Sequence, residues 1–260
     1  MGITLFREFH TSLRLIDELL ALVFQTQCLS CRTAGVASAL CPRCAPGAPL
    51  SAPVCSSCGD PVPAPIDRCG RCVRERLREL SYVRSGLWLT EPAREVVHRV
   101  KYGGRFELLD LFREWVSWKQ DRPPYPDSVV MAVPSSVSTL LARGFHLAGW
   151  LADRIAESGG LERARKELCK TRETPSQTGL KKVARRRNLR GAFEWTLDVA
   201  PPHRVLLVDD IFTTGATLEA CARGLRRSGC REVIAWTLFR TPRLGSVAPL
   251  AGGGELPLGG

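Results

Sequence analysis

A chain of 260 residues, 44% hydrophobic and 24% charged, has room for one well-packed core plus a small module, and its composition is that of a folded protein. Its formal charge is +11, carried by 31 Arg and 6 Lys against 26 acidic residues, and no stretch is apolar enough to span a bilayer. These properties exclude a helical membrane protein and point to an anionic partner, a phosphate-rich ligand or nucleic acid.

From the N-terminus, Leu13, Leu15, Ile16, Leu19, Leu20 and Val23 fit one amphipathic helix within residues 1–27. Asp17 and Glu18 interrupt its apolar run, and no small-residue cleavage site follows. The segment therefore reads as a helix packed on its own protein, not an export signal, and the protein as cytoplasmic.

Eight of the eleven cysteines fall between Cys28 and Cys72 as four C-x2-C pairs: Cys28/Cys31, Cys41/Cys44, Cys55/Cys58 and Cys69/Cys72. Two residues between thiolates let one tight turn point both sulfurs at one ion, and two such knuckles complete a tetrahedral zinc site. Nine, ten and ten residues separate successive pairs, which suits two short zinc ribbons in tandem over residues 28–80. A disulfide framework would need an oxidising compartment, to which nothing in the sequence points. Consecutive knuckles need only short hairpins to pair; a cross-braced pairing, the alternative, needs longer spans. The stretches "PGAPLSAPVC" and "GDPVPAPIDRC" hold few large apolar side chains, so two structural zinc ions are expected to supply the module's folding free energy. Cys169, Cys221 and Cys230 stand alone and read as core or helix-face residues.

Beyond residue 80, apolar runs alternate with amphipathic helices. "YVRSGLWLT" is a strand, "PAREVVHRVK" a helix opened by Pro92, "SVVMAVP" a buried strand, and "FHLAGWLADRIAES" a helix stopped by Gly159 and Gly160. "RVLLVDD" is the next strand, followed by a helix from Ala216 to Ser228 and the strand "EVIAWTLF". Such units build a parallel α/β sheet with helices on both faces over residues 81–240. The tail 241–260, ending "AGGGELPLGG", reads as disordered. Within the domain, Leu161–Arg190 gathers eleven cations against three glutamates, so it alone carries +8 of the +11. Codon bias would scatter that charge.

The stretch "VLLVDDIFTTGATLEA" (205–220) concentrates the chemistry. In open parallel sheets, ligands lie beyond the carboxyl ends of the strands. Successive strand residues point to opposite sides, so Asp209 and Asp210 present carboxylates in two directions there. Carboxylates only accept hydrogen bonds and suit the vicinal hydroxyls of a sugar. The turn Thr213, Thr214, Gly215, Ala216, Thr217 then enters a helix whose free N–H groups and positive dipole end bind phosphate. A threonine-capped helix beside an incidental acidic pair is the plainer alternative. Adjacent carboxylates repel, however, and need donors, a ligand or a metal at a strand end. No G-x4-G-K-[ST] loop occurs in the chain.

"VLLVDDIFTTGATL" resembles the phosphoribosyl-diphosphate motif of type I phosphoribosyltransferases. Together with the cysteines, "VVHRVKYGGR" (96–105), "AVPSS" (132–136), "LARGFHLA" (141–148), "TPSQTGL" (174–180) and "RRRNLRGAF" (185–193) make the chain similar to the ComF family. That family joins N-terminal zinc-binding cysteines to a phosphoribosyltransferase-like domain and is associated with natural competence. The resemblance implies a type I phosphoribosyltransferase-like sheet, with Asp209 and Asp210 on the ribose hydroxyls and Thr213–Thr217 around the 5′-phosphate. It implies that Pro134, Ser135 and Ser136 face the diphosphate. It also implies that the basic segment, with Arg172, Lys181, Lys182, Arg185, Arg186 and Arg187, folds over that group. Mg²⁺ would bridge diphosphate and ribose oxygens, held mostly by the ligand. The family pattern Arg-Gly-Phe-Asn-Gln is here Arg143-Gly144-Phe145-His146-Leu147, which removes an amide pair and leaves His146 as the one candidate base. No nucleobase or amine pocket is legible.

Three functions are compatible with these residues. The chain binds phosphoribosyl diphosphate and transfers its sugar; or it handles single-stranded DNA, with the fold as a non-catalytic scaffold or sensor; or its zinc ribbons serve as an adaptor for protein partners of the competence machinery.

Overall fold

The computed structural model describes residues 27–36, 40–44, 50, 53–75, 77–116, 127–164, 167–172, 189 and 191–242. The helix expected within residues 1–27, nearly all of the tail 241–260, and Lys181, Lys182, Arg185, Arg186 and Arg187 of the basic segment lie outside the described residues. In chain order the elements are α1 (Gly70–Arg74), β1 (Val83–Trp88), α2 (Glu91–Tyr102), a 3-10 turn (Phe106–Leu108), α3 (Leu109–Trp115), β2 (Val129–Ala132), α4 (Val137–Arg143), α5 (Leu147–Gly159), β3 (Leu168–Lys170), β4 (Phe193–Trp195), β5 (Arg204–Phe212), α6 (Ala216–Arg227) and β6 (Glu232–Arg240).

Four strands pair in parallel in the order β1-β6-β5-β2, and beyond β2 a single parallel bridge from Val130 to Arg163 continues the edge. β3 and β4 form a separate antiparallel ribbon. Strand side chains alternate between faces, and β5 and β6 are apolar on both because helices cover both. Val205, Leu207, Val233 and Ala235 point toward α6, with Cys221, Ala222 and Leu225. Leu206, Val208, Ile234, Trp236 and Leu238 point toward α2, α3 and α5, with Val96, Val100, Phe112, Leu151 and Ile155.

The cysteine module is merged with these two layers, one ribbon on each. Cys28, Leu40, Cys41 and Cys44 pack into the α2/α3/α5 layer. Cys55, Cys58, Cys72, Leu77 and Leu80 pack into the α6 layer. The Val83 N–H also donates to Ser57 O at 2.9 Å, which ties the second ribbon to the start of β1.

The strands and helices expected over residues 81–240 are present, with shifted ends. β5 runs past its expected end at Asp210 to Phe212, because Ile211 and Phe212 pair with Phe239 and Arg240 of β6. α5 begins at Leu147 with His146 as its N-cap, and Gly160 alone forms its C-cap. Four short elements, α1, α3, α4 and the β3/β4 ribbon, go beyond the sequence reading, as does the 3-10 turn. None is long enough to show a period, and α4 buries no residue.

Candidate functional site

Alternation sends Asp210 to the α2 face and Asp209 to the α6 face, in two directions as the strand period requires. The pair is not openly presented to solvent, however. Asp210 is 7% exposed and ion-paired with Lys101 of α2. Burial is the strongest single influence and works against the Asp210 carboxylate, but Lys101 and the hydrogen bond with Asp209 together hold its pKa below the usual range. Desolvation likewise opposes the charge on Lys101, yet Asp210, then Asp209, leave its pKa raised. Asp209 accepts the Asp210 N–H through Oδ1 at 2.9 Å. Burial first, and the neighbouring Asp210 charge second, push the Asp209 carboxyl well above the usual range. One carboxylate is thus neutralised within the protein, while the other is held at a cost that an incoming donor or cation would relieve.

Lys101 is the site residue that sequence reasoning missed. It lies in the stretch "VVHRVKYGGR" that carried the family resemblance, but nothing in a helix period marks one lysine as the partner of a strand residue 109 positions away.

After β5 the chain turns through Thr213, Thr214 and Gly215 into α6. Gly215 is the N-cap at φ 77°, where an L side chain is strained, and a Cβ there would lie 3.0 Å from the Phe212 ring and 3.1 Å from Leu77. Thr214 precedes that glycine cap, and its hydroxyl accepts the Ala216 N–H at 3.3 Å, so the turn supports the helix start from outside it and coexists with the acidic pair. Thr213 is exposed and Thr217 half-buried. The α6 N-terminus, with its positive dipole end and the N–H groups of its first turn, therefore lies at the carboxyl end of the sheet beside Asp209 and Asp210.

On the other side, Pro134 and Ser135 line a cavity of about 680 Å³ between β2, α4, α5 and the β3 segment. Ser136 is not among its walls. Its buried hydroxyl caps α4, accepting the Thr139 N–H at 3.3 Å and bonding the Thr139 hydroxyl at 2.8 Å. Phe145, His146 and Trp150 form an aromatic wall, and Arg163 and Lys170 add positive charge. Asp209 and Asp210 are not part of this cavity. Arg172, the one described member of the basic loop set, is exposed just beyond β3.

His146 is held to the backbone through one ring nitrogen. Its Nε2 lies 3.1 Å from Val133 O, Nδ1 packs on Gly149, and burial lowers its pKa. Leu147, at the second position of the missing amide pair, is a buried core residue of the α2/α3/α5 layer.

The cysteines assemble as two clusters, Cys28/Cys31/Cys41/Cys44 and Cys55/Cys58/Cys69/Cys72, with all sulfurs of a cluster within 4.8 Å of one another. Pairing is therefore consecutive, and the cross-braced alternative is not the one formed. Tetrahedral zinc with bonds near 2.3 Å separates its sulfurs by about 3.8 Å. Cys31 and Cys41 are 3.6 Å apart, as are Cys58 and Cys69. Backbone N–H groups of Cys41 and Cys69 point at the sulfurs of Cys28 and Cys55, at 3.4 and 3.2 Å, which suits thiolates. Four thiolates fill a tetrahedral shell, so each set suits a structural zinc ion.

A parallel sheet ending in an acidic pair and a helix-capping threonine loop, carried with two four-cysteine clusters, defines a phosphoribosyltransferase-type domain fused to a double zinc ribbon. Family comparison agrees: residues 134–245 match the phosphoribosyl transferase domain and residues 19–73 the double zinc ribbon domain. The chain is 31% identical over 213 residues to the DNA utilization protein YhgH of Salmonella typhi, covering 78% of this chain and 90% of that one. It is 28% identical over 229 residues to competence protein F of Haemophilus influenzae, covering 84% and 98%. With competence protein ComFC of Streptococcus pneumoniae it shares 26% over 150 residues, 58% and 64%. The chain belongs to the ComF family. Among the described residues, no helix is long and apolar enough to cross a membrane.

Proposed function

We propose that this chain binds phosphoribosyl diphosphate together with Mg²⁺, in a competence-type role in DNA uptake and use. The observation that carries the reading is the juxtaposition of Asp209, short of a compensating cation, with the threonine loop at the head of α6. Asp209 and Asp210 would take the ribose hydroxyls, and the Thr213–Thr217 turn the 5′-phosphate. Pro134 and Ser135, which share a cavity with Lys170, would face the diphosphate. Mg²⁺ takes hard oxygen donors, which the ligand's diphosphate and ribose supply beside a carboxylate left electrostatically unrelieved. When bound, it would screen the charge of the diphosphate as that group meets the acidic pair.

His146 is held through Nε2 to Val133 O, and no residue is assigned as a base, so the reading is one of binding and not of transfer. A calorimetric titration with phosphoribosyl diphosphate, with and without Mg²⁺, tests the reading. One Mg²⁺-dependent site per chain is expected, and an absence of heat at millimolar ligand would refute it.

A second reading, single-strand handling, has an observation of its own. Tyr102, 60% exposed, stands one residue from Lys101; the Arg143 guanidinium covers its ring at 4.6 Å and donates to its hydroxyl at 2.7 Å. An exposed ring with a stacked cation is the kind of platform on which bases of single strands rest, and the +8 segment would follow the backbone. The names of the relatives, DNA utilization protein and competence protein, accord with it. The adaptor reading gains least, because both ribbons already pack against the chain's own sheet.

A further inference from the structure

The second ribbon reaches the threonine loop through Arg71, which stands between two metal ligands, Cys69 and Cys72. Arg71 is 8% exposed, and its Nη2 donates to Thr214 O at 2.6 Å. Its guanidinium lies 5.0 Å from the centre of the Phe212 ring, and that of Arg240 lies 4.2 Å from the same ring. Arg240, 1% exposed, pairs with Asp60 and donates to Cys58 O, so both cations that hold Phe212 are anchored in the ribbon. Asp60 also faces Arg71, at 3.9 Å. Just past the ribbon, Leu77 closes on Gly215 so tightly that a Cβ would meet it at 3.1 Å. Arg78 and Glu79 donate their N–H groups to Glu219 in the first turn of α6, at 2.6 and 3.1 Å.

Every part of the loop, its entry at Phe212, its carbonyl at Thr214, its glycine and its helix, is thus held by residues 58–79. None of these contacts comes from the first ribbon, which packs on the opposite face of the sheet. The spacing that makes Cys69-Gly70-Arg71-Cys72 a metal knuckle also fixes the backbone from which Arg71 reaches out. A loop that must present N–H groups to a phosphate needs such bracing, since loss of alignment by about an ångström costs binding steeply.

We propose that Arg71 is a positioning residue that couples zinc at Cys55/Cys58/Cys69/Cys72 to the shape of the threonine loop, so that loading of the second site, and not the first, sets the competence of the loop for an anionic ligand. The ligand half of this statement rests on the proposed phosphoribosyl diphosphate reading; the coupling half does not.

Hydrogen–deuterium exchange of the Phe212–Glu219 amides in the full chain, with zinc content measured on the same samples, separates the two halves. Arg71→Ala should keep two zinc ions yet speed exchange in this loop on the order of 10-fold or more, the effect of removing one charged hydrogen bond. Phosphoribosyl diphosphate should bind correspondingly more weakly. Arg71→Lys retains the charge and stem but lacks the fork; it should give an intermediate rate, and it carries the test if the alanine variant does not fold. Cys31→Ala, which empties the first ribbon, should leave loop exchange unchanged. Unaltered loop exchange in a zinc-loaded Arg71 variant, or equal acceleration in Cys31→Ala, would overturn the coupling. A wild type that binds no ligand while its loop responds to Arg71 as described overturns the ligand reading and upholds the coupling.

Discussion

At Asp209 and Asp210, two adjacent residues of one type hold opposite positions in the energetics of the fold. Asp209 has its pKa raised by burial and by Asp210, so between the ordinary carboxyl pKa near 3.9 and its raised value the folded state holds the extra proton. Stability in that window therefore falls as pH rises, so the raised pKa of Asp209 costs the fold stability toward neutral pH. Asp209→Asn should raise the melting temperature at pH 7, and the gain should shrink toward pH 4, where the wild-type carboxyl takes up its proton. Asp210 has its pKa lowered in the presence of Lys101, so its contribution is present above the ordinary carboxyl range and lost as pH falls through its depressed value. Asp210→Asn strands the largely buried Lys101 and should cost about 3 kcal/mol. Thermal melts of both variants across pH 4–8 check the contrast; equal destabilisation by both would contradict it. A residue kept at the expense of stability is what a ligand-binding position looks like.

Among the elements, legibility followed length and period. The long strands β5 and β6 and the helices α2, α5 and α6 were readable because each repeats its apolar pattern over two or more turns or pleats. The acidic pair, the threonine turn and the knuckle spacings were readable because they are contiguous in sequence. What could not be read are relations between distant segments: Lys101 with Asp210, Arg71 with Thr214, and Arg240 with Asp60 across 180 residues. The ribbons show the consequence. Their composition marks them as poor in large apolar side chains, and the structure packs each against a face of the sheet. Elemental analysis should find two zinc ions per chain, and a chelator should lower the melting temperature of the sheet itself. A calorimetric transition that survives chelation at unchanged temperature would contradict that merger.

Along the whole chain, the charge is concentrated in one segment, 161–190. The +8 segment exceeds what one diphosphate can use, and the exposed Tyr102–Arg143 pair stands near the acidic site. If a single strand runs along this charge, log affinity should fall with log salt at a slope of about −0.7 per phosphate neutralised, near −3 for about four contacts. Replacing Arg185, Arg186 and Arg187 by Ala should flatten the slope, whereas Tyr102→Ala should weaken binding without changing it. No binding of an oligodeoxynucleotide at low salt would remove the second reading and leave the charge to the diphosphate. The first reading stands or falls on something narrower, that the strand end at Asp209 and Asp210 and the loop at Thr213–Thr217 form one sugar-phosphate site. Isothermal titration of Mg²⁺–phosphoribosyl diphosphate into wild type, Asp209→Asn and Asp210→Asn decides it. One site per chain is expected, weakened on the order of 10- to 150-fold in each variant, the equivalent of one lost charged hydrogen bond of about 1.5–3 kcal/mol. Wild-type affinity in both variants would contradict it.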